Sequence, residues 1–167
     1  MSTLPKISNP AAAACAGVLL ALAATSASGA TLTRSVTVRG EASAIWSLIG
    51  PYCAIKDWHP VVGACTVDGR TPPTRTIVTK DGKATFVERQ TARSDSKRLY
   101  SYTFVSSPVP VTRYVATLSV TPSGAGRSTI VWRGVYVPDP GHEAEASEAL
   151  SGIYESGLSA LEARFGD

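Results

Sequence analysis

The feature that most constrains the fold is a change in hydrophobic period near the C-terminus. From Ala146 to Phe165 apolar residues recur every three or four positions, which predicts an amphipathic helix of about six turns. Acidic residues at Glu143, Glu145 and Glu148 fall in its first turns, where the helix dipole favours negative charge. Because this helix must bury its one apolar face, the rest of the chain has to supply a matching apolar surface.

Short strands supply that surface. Leu32 to Val38 alternates apolar and polar residues and predicts a first strand, and Glu41–Ile49 and Tyr52–Trp58 are predicted as two short helices. The further predicted strands are Val61–Val67, Thr74–Thr79, Ala84–Thr91, Leu99–Ser106, Val111–Thr121 and Ser128–Val137. Their short, regular spacing predicts an antiparallel meander. The expected fold is therefore α+β, with a seven-stranded curved antiparallel sheet wrapped around the C-terminal helix.

The first 30 residues differ in kind from the rest and are predicted to be a signal peptide. Lys6 precedes an apolar run from Ala11 to Ala24, and Ser28 with Ala30 fits a cleavage site, with Ala27 and Gly29 as an alternative pair. The alternative is an uncleaved membrane anchor, although the run is shorter than the ~20 residues that a spanning helix needs. Cleavage would leave one folded domain, residues 31–167, periplasmic or secreted and without a stable membrane span.

Cleavage would also leave two cysteines, Cys53 and Cys65. An even pair in an oxidising compartment is a disulfide candidate. Two buried free thiols are the alternative, because spacing alone does not bring two sulfur atoms together.

Several functions lack the residues that they need. The net charge is +3 and no block of basic residues is present, which argues against nucleic acid as a partner. Two histidines without paired carboxylates make a metal site unexpected. No glycine-rich phosphate loop and no Gly-x-Ser-x-Gly elbow occurs. No cofactor is expected.

The order of strand, two short helices, six strands and long helix is that of the helix-grip fold. The sequence resembles the SRPBCC (START/Bet v 1-like) superfamily, and within it the polyketide cyclase/dehydrase group. The residues that carry the resemblance are Ala44–Ile45–Trp46, Asp57–Trp58–His59–Pro60, Phe86–Val87–Glu88–Arg89 with Asp95, Tyr100 with Tyr102, Pro110 with Tyr114, and Trp132–Arg133–Gly134. The resemblance implies a cavity between sheet and helix that holds a hydrophobic small molecule, lipid-like or polyketide-like. It also implies that Lys80–Lys83 and Ser106–Val111 guard the entrance.

Two residues are candidates for catalysis. Phe86 and Glu88 share one face of a strand, and the resemblance turns that face inward, where Glu88 could act as a general acid or base. The alternative is a glutamate that pairs with a nearby arginine or faces solvent. His59 stands at the junction of a helix and a strand, where it could carry protons. The alternative is that it satisfies local backbone groups.

The predicted ligand contacts combine aromatic rings with groups that can form hydrogen bonds. They are Trp58, His59, Phe86, Glu88, Tyr102, Phe104, Pro110, Tyr114, Trp132, Tyr136, Ile153, Tyr154 and Gly157. Ordinary aromatic core is the alternative for the tyrosines. Gly134 alternates with Trp132 and Tyr136, and a glycine facing the docked helix allows a close approach of backbone or ligand.

Three functions stay open on the sequence. The leading hypothesis is an exported protein that binds a hydrophobic small molecule. The second is an enzyme that catalyses aldol-type cyclisation or dehydration of a poly-keto substrate. The third is an accessory protein that binds a partner enzyme.

Overall fold

The fold was obtained as a computed structural model, which describes residues 28–166. In chain order the elements are β1 (Ala30–Arg39), α1 (Ala42–Ile49), α2 (Ile55–Trp58), β2 (Val62–Val67), β3 (Thr74–Thr79), β4 (Thr85–Ser94), β5 (Leu99–Ser106), β6 (Val111–Pro122), β7 (Arg127–Pro138) and α3 (Glu143–Phe165). Of the predicted signal peptide only residues 28–30 lie within the described part, so that prediction remains untested.

The seven strands form one antiparallel sheet in the order β1-β7-β6-β5-β4-β3-β2. Consecutive strands from β2 to β7 are neighbours, as expected for a meander, and β1 closes the order beside β7. The two short helices make the connection from β1 to the opposite edge of the sheet. This arrangement confirms the predicted α+β helix-grip architecture.

The long helix α3 lies against β1 and β7. Its buried residues, Ala146, Leu150, Tyr154, Gly157, Leu158 and Leu161, follow the three- and four-residue spacing seen in the sequence. The sheet buries Leu118 and Val120 of β6 and Ile130 of β7 completely, and these residues belong to the same apolar core as the buried face of the helix. Packing of this face, more than helix propensity, stabilises such a helix.

Two predicted boundaries differ from the structure by three residues. The second helix begins at Ile55 instead of Tyr52, because residues 51–54 form a turn in which the Ala54 N–H donates to the Pro51 carbonyl at 2.8 Å. Strand β4 continues past Thr91 to Ser94, after a register shift between Gln90 and Ala92. The irregularity interrupts the strict alternation on which the predicted end depended.

A disulfide joins Cys53, in the turn before α2, to Cys65 in β2, with Cα atoms 5.5 Å apart. The crosslink fixes the start of α2 to the edge of the sheet that carries β2 and β3. Within residues 28–166, no helix is long and apolar enough to cross a membrane.

Candidate functional site

A cavity lies between strands β2–β7 of the sheet, α2 and α3. Its volume is about 40 Å³, measured for the centre of a water-sized sphere. The residues that line it are Ile55, His59, Val61, Val62, Ile77, Thr79, Phe86, Glu88, Tyr102, Phe104, Tyr114, Trp132, Leu150 and Ile153. The lining is mostly aliphatic and aromatic, with a few polar groups.

The structure brings most of the predicted ligand contacts into this lining. Those that line the cavity are His59, Phe86, Glu88, Tyr102, Phe104, Tyr114, Trp132 and Ile153. Those that do not are Trp58, Pro110, Tyr136, Tyr154 and Gly157. The lining residues that the sequence analysis did not propose are Ile55, Val61, Val62, Ile77, Thr79 and Leu150. Apolar alternation in β2 and β3 was the available signal for several of them, but it does not separate core from cavity wall.

Glu88 meets a buried partner. Arg75 of β3 stands directly opposite Glu88 of β4 in the strand register. The Arg75 Nε donates to Glu88 Oε2 at 2.7 Å, and Arg75 Nη2 lies 2.6 Å from the same oxygen. The exposed fraction of the side chain is 0% for Arg75 and 6% for Glu88. Two interpretations of Glu88 were open, an inward-facing acid or base and a glutamate paired with an arginine. The structure contains a part of each, because Glu88 lies in the cavity wall and pairs with Arg75.

The rest of the Arg75 guanidinium is enclosed by aromatic rings. Its central carbon lies 4.2 Å from the ring centroid of Tyr52, 5.1 Å from that of Tyr102 and 5.6 Å from that of Tyr100. Arg75 also donates through Nη1 to the Tyr52 carbonyl. These contacts stabilise a cation that has no access to water.

Burial and electrostatic attraction shift the pKa values of Arg75 and Glu88 in opposing directions. Burial alone lowers the pKa of Arg75, but the Glu88 carboxylate and the surrounding tyrosines raise it, and the net shift is upward. Burial raises the pKa of Glu88, and the charge and hydrogen bond of Arg75 oppose that rise. Because Arg75 stays charged, the Glu88 carboxylate is its counter-ion.

His59 stands at the end of α2 with 3% of its surface exposed. Its Nε2 lies 3.0 Å from the carbonyl oxygen of Ile153 in α3. Burial lowers the pKa of His59, while the hydrogen bond to Ile153 opposes this, and the positive charges of Arg75 and Lys80 lower it further. The neutral imidazole is thus favoured. The contact with a backbone carbonyl matches the alternative offered for this residue, and the ring also lines the cavity.

A chain of buried hydroxyl groups runs behind the cavity. Trp132 donates through Nε1 to the Tyr102 hydroxyl at 3.0 Å, and the Tyr102 and Tyr114 hydroxyl oxygens lie 3.5 Å apart. The Tyr114 and Tyr154 hydroxyl oxygens lie 2.7 Å apart. Burial raises the pKa of Tyr102 and of Tyr114 well above the usual value, so both remain protonated.

Two glycines allow these rings their positions. A Cβ atom at Gly134 would lie 2.5 Å from the Tyr154 hydroxyl oxygen. A Cβ atom at Gly157 would lie 2.7 Å from His59 Cδ2 and 3.0 Å from the Trp132 ring. Gly157 therefore lets the His59 ring reach the backbone of α3, and Gly134 allows the close approach that the sequence predicted.

The open side of the cavity is apolar. Of the lining residues there, Val61 is exposed, and Phe86, Phe104 and Ile153 are half-buried. The Lys80–Lys83 turn starts directly after Thr79 and is closed by Asp81, which accepts hydrogen bonds from Thr79 Oγ1 at 2.6 Å and from the Lys83 N–H at 3.1 Å. The loop from Ser106 to Val111 has no residue in the lining.

The described residues contain no group of three or more His, Cys, Asp or Glu side chains that could hold a metal ion.

The fold and the enclosed cavity define a helix-grip protein of the SRPBCC superfamily. Residues 29–166 match the family described as polyketide cyclase/dehydrase and lipid transport, and the chain belongs to this family. The predicted resemblance is thereby confirmed. Among curated proteins, none matches the sequence.

Solved structures agree with this assignment. The chain is similar to the protein XoxI of Bacillus cereus, with 31% identity, a TM-score of 0.77, and 83% of this chain and 96% of that chain covered. A protein of Thermobifida fusca has 35% identity and a TM-score of 0.72, with 81% and 93% covered. The Zhui aromatase/cyclase of a Streptomyces species has 16% identity and a TM-score of 0.66, with 82% and 93% covered, which is a likeness of fold alone.

Proposed function

We propose that this protein is exported and binds a hydrophobic small molecule, lipid-like or polyketide-like, in the cavity between sheet and helix. The observation that carries the proposal is the lining itself, in which aliphatic and aromatic side chains from β2–β7, α2 and α3 surround a few convergent polar groups. Such a lining is typical of small-molecule sites.

The size of the cavity restricts how a ligand enters. Ligand pockets commonly have volumes of about 300–1,000 Å³, whereas this cavity has about 40 Å³. A ligand larger than a few water molecules therefore requires side chains to move. Phe86, Phe104 and Ile153 are half-buried at the open side, whereas Tyr102 and Tyr114 are held by buried hydroxyl contacts. Movement of the first group enlarges the cavity without breaking hydrogen bonds.

Export is supported by two features of the chain. The three-part N-terminal segment has the layout of a signal peptide, and the bond between Cys53 and Cys65 is of a kind that persists in oxidising compartments. N-terminal sequencing of the protein from its own cell is expected to give a start near residue 31. A start at Met1 or Ser2 would contradict export by cleavage.

Two measurements test ligand binding. Native mass spectrometry of protein purified from its own cell is expected to show a retained apolar molecule. In addition, Ile77→Phe is expected to weaken the binding of a fluorescent apolar probe, because Ile77 lines the cavity. Val78→Phe is the matched control, since Val78 is the next residue on β3 and does not line the cavity. Equal binding by both variants and the native protein would contradict the proposal.

A second candidate is a cyclase or dehydratase acting on a poly-keto substrate. The observation in its favour is that Glu88 and His59, both able to exchange protons, line one cavity. If Glu88 is catalytic, Glu88→Gln is expected to abolish product formation from poly-keto compounds and to leave their binding largely intact. Full activity in that variant would remove Glu88 from the mechanism. The role of an accessory protein stays a prediction.

A further inference from the structure

The two ring nitrogens of His59 are in different situations. Nε2 lies 3.0 Å from the Ile153 carbonyl oxygen. A carbonyl oxygen only accepts hydrogen bonds, so Nε2 must carry the proton and donate. In the neutral imidazole the other nitrogen, Nδ1, is then an acceptor with a free lone pair.

This acceptor has no partner in residues 28–166. The buried polar side-chain atoms without a hydrogen bond there are Trp58 Nε1, His59 Nδ1, Arg75 Nη2 and Gln90 Nε2. Of these four residues, His59 alone lines the cavity. A buried acceptor without a partner destabilises the folded protein, and a donor from a ligand would remove that cost.

The His59 ring cannot easily turn to find another partner. It packs edge-on against the Trp132 ring, with centroids 6.1 Å apart and an interplanar angle of 89°. Its Cδ2 atom also occupies the space beside Gly157 that a Cβ atom would otherwise take. The acceptor is therefore held in place before any ligand binds, which favours directional recognition.

The second polar group of the lining also accepts. Both contacts between Arg75 and the Glu88 carboxylate end on Oε2. An ionised carboxylate only accepts hydrogen bonds. A molecule whose only polar group is a carbonyl can donate to neither His59 Nδ1 nor Glu88, whereas a hydroxyl group can donate to either.

We propose that the cavity selects apolar molecules that carry a hydroxyl group, which donates a hydrogen bond to His59 Nδ1. This inference rests on the proposed function and adds the chemical class of the ligand. On this inference, the cavity binds alcohols and phenols more tightly than ketones, aldehydes and hydrocarbons of the same size.

Three small aromatic probes test the selection on the intact protein. Para-cresol carries a hydroxyl, para-xylene replaces it by a methyl group, and para-tolualdehyde carries only an acceptor. In NMR titrations para-cresol is expected to bind at least about tenfold more tightly than the other two, because a site built around a hydrogen bond rejects analogues that lack it. Tighter or equal binding of para-xylene or para-tolualdehyde would overturn the inference and leave hydrophobic binding intact. No binding of any probe up to its solubility would overturn the proposed function as well.

A variant assigns the preference to His59. His59→Phe is expected to remove the preference for para-cresol while para-xylene still binds, and the Ile153 carbonyl keeps the hydrogen bond from Ser156 Oγ at 3.1 Å. Gln90→Leu is the matched control, since it removes a buried unpartnered atom away from the cavity and should retain the preference. Persistence of the preference in His59→Phe would overturn the assignment. If that variant does not fold, the probe series on the native protein still decides.

Discussion

The two halves of the sheet are stabilised in different ways. The packed half consists of β1, β6 and β7 with α1 and α3, and its centre is an apolar core in which Leu118, Ile130 and Leu161 are completely buried. The cavity half consists of β2, β3, β4 and β5, and it contains the Arg75–Glu88 ion pair, the Cys65 end of the disulfide and seven of the fourteen residues that line the cavity.

The comparison shows which half of the sheet provides close packing and which half can enclose a ligand site. Close packing fills the core of the packed half, and the cleft between β1 and α3 lies at its surface, where Arg34 and Glu155 form a solvent-accessible ion pair. Specific pairwise bonds hold strands together without filling the space between them. The cavity half can therefore be stable and still enclose a site. The predictions below test this division, from the largest expected effect to the smallest.

Arg75→Met should have the largest effect. It leaves the buried Glu88 carboxylate without its counter-ion, and loss of one partner of a buried pair costs about 3–5 kcal/mol of unfolding free energy. Urea denaturation measures it, with exposed Arg89→Met on β4 as the control. The double variant Arg75→Met, Glu88→Leu should recover most of the loss. An Arg75 variant as stable as the Arg89 variant would show that the ion pair does not hold this half together.

Leu161→Ala tests the packed half. Leu161 is 0% exposed, and truncation of a buried leucine costs about 2–5 kcal/mol. Ile153→Ala, on the same helix but half-buried beside the cavity, should cost only about 1 kcal/mol. Equal losses in the two variants would mean that the cavity half is packed as tightly as the other.

Replacing Cys53 and Cys65 together by serine should lower the unfolding free energy by ~3 kcal/mol, because the crosslink restricts the unfolded chain. A reducing agent should bring the native protein to the stability of the variant and leave the variant unchanged. Thiol titration of the denatured, unreduced mature protein should find no free thiol. Two free thiols would mean that this half is stabilised without the crosslink.

Two glycines of α3 should respond in opposite directions to alanine. Gly152 is exposed and has free space beside it, so Gly152→Ala should stabilise the protein by up to about 1 kcal/mol through helix propensity. Gly157→Ala gains the same propensity but displaces the His59 and Trp132 rings, so the net effect should be destabilising. Thermal unfolding of both variants measures the sign. Stabilisation by both would show that the ring contacts at Gly157 are loose.

The smallest effect concerns pH. The pKa of His59 is lowered by burial and by the positive charges of Arg75 and Lys80, while Glu88 in the same cavity has the opposite charge. The unfolded chain therefore binds a proton more readily than the folded protein. Stability should be complete above about pH 6.5 and should fall as the pH drops from there toward the folded-state pKa.

Between about pH 7 and about pH 5.5, the unfolding free energy of the native protein should therefore fall relative to that of His59→Phe. His142 is exposed, and its pKa is raised by Glu145, so its contribution has the opposite sign and is common to both proteins. The same pH dependence in both would contradict the burial of a neutral His59.

The fold could be predicted from the sequence because periodicity reports directly on secondary structure. Alternation predicted β1, turn residues with β-branched and aromatic content predicted the other strands, and the three- and four-residue spacing predicted α3. The start of α2 could not be predicted, since the turn at residues 51–54 depends on local hydrogen bonds that leave no periodic signal. The end of β4 was missed because a bulge alters the alternation.

The site was only partly predictable. Alternation placed Phe86 and Glu88 on one face of a strand, and the family resemblance implied that this face points inward, where both residues line the cavity. Whether an inward residue lines a cavity depends on the curvature of the sheet and the position of the helix. Tyr154, for example, is buried against Trp132 and does not reach the cavity.

Arg75 was overlooked, although the sequence contained the signal. The hairpin turn is closed by Thr79 and Ala84, and counting back from this pair places Arg75 opposite Glu88. The pairing of an arginine with the candidate acid followed from the turn that was predicted.

The chain of tyrosine hydroxyls affects which hydrogen-bonding group the cavity wall offers to a ligand. Tyr102, Tyr114 and Tyr154 hold three hydroxyl protons, and the two contacts between them use two. If the protons point from Tyr102 toward Tyr154, the spare proton lies at Tyr154, remote from the cavity. If they point the other way, the spare proton lies at Tyr102, in the cavity wall. Both directions of the proton chain make the same number of hydrogen bonds between the tyrosines. Rotation of the three hydroxyl groups about their C–O bonds therefore converts one direction into the other without moving a heavy atom.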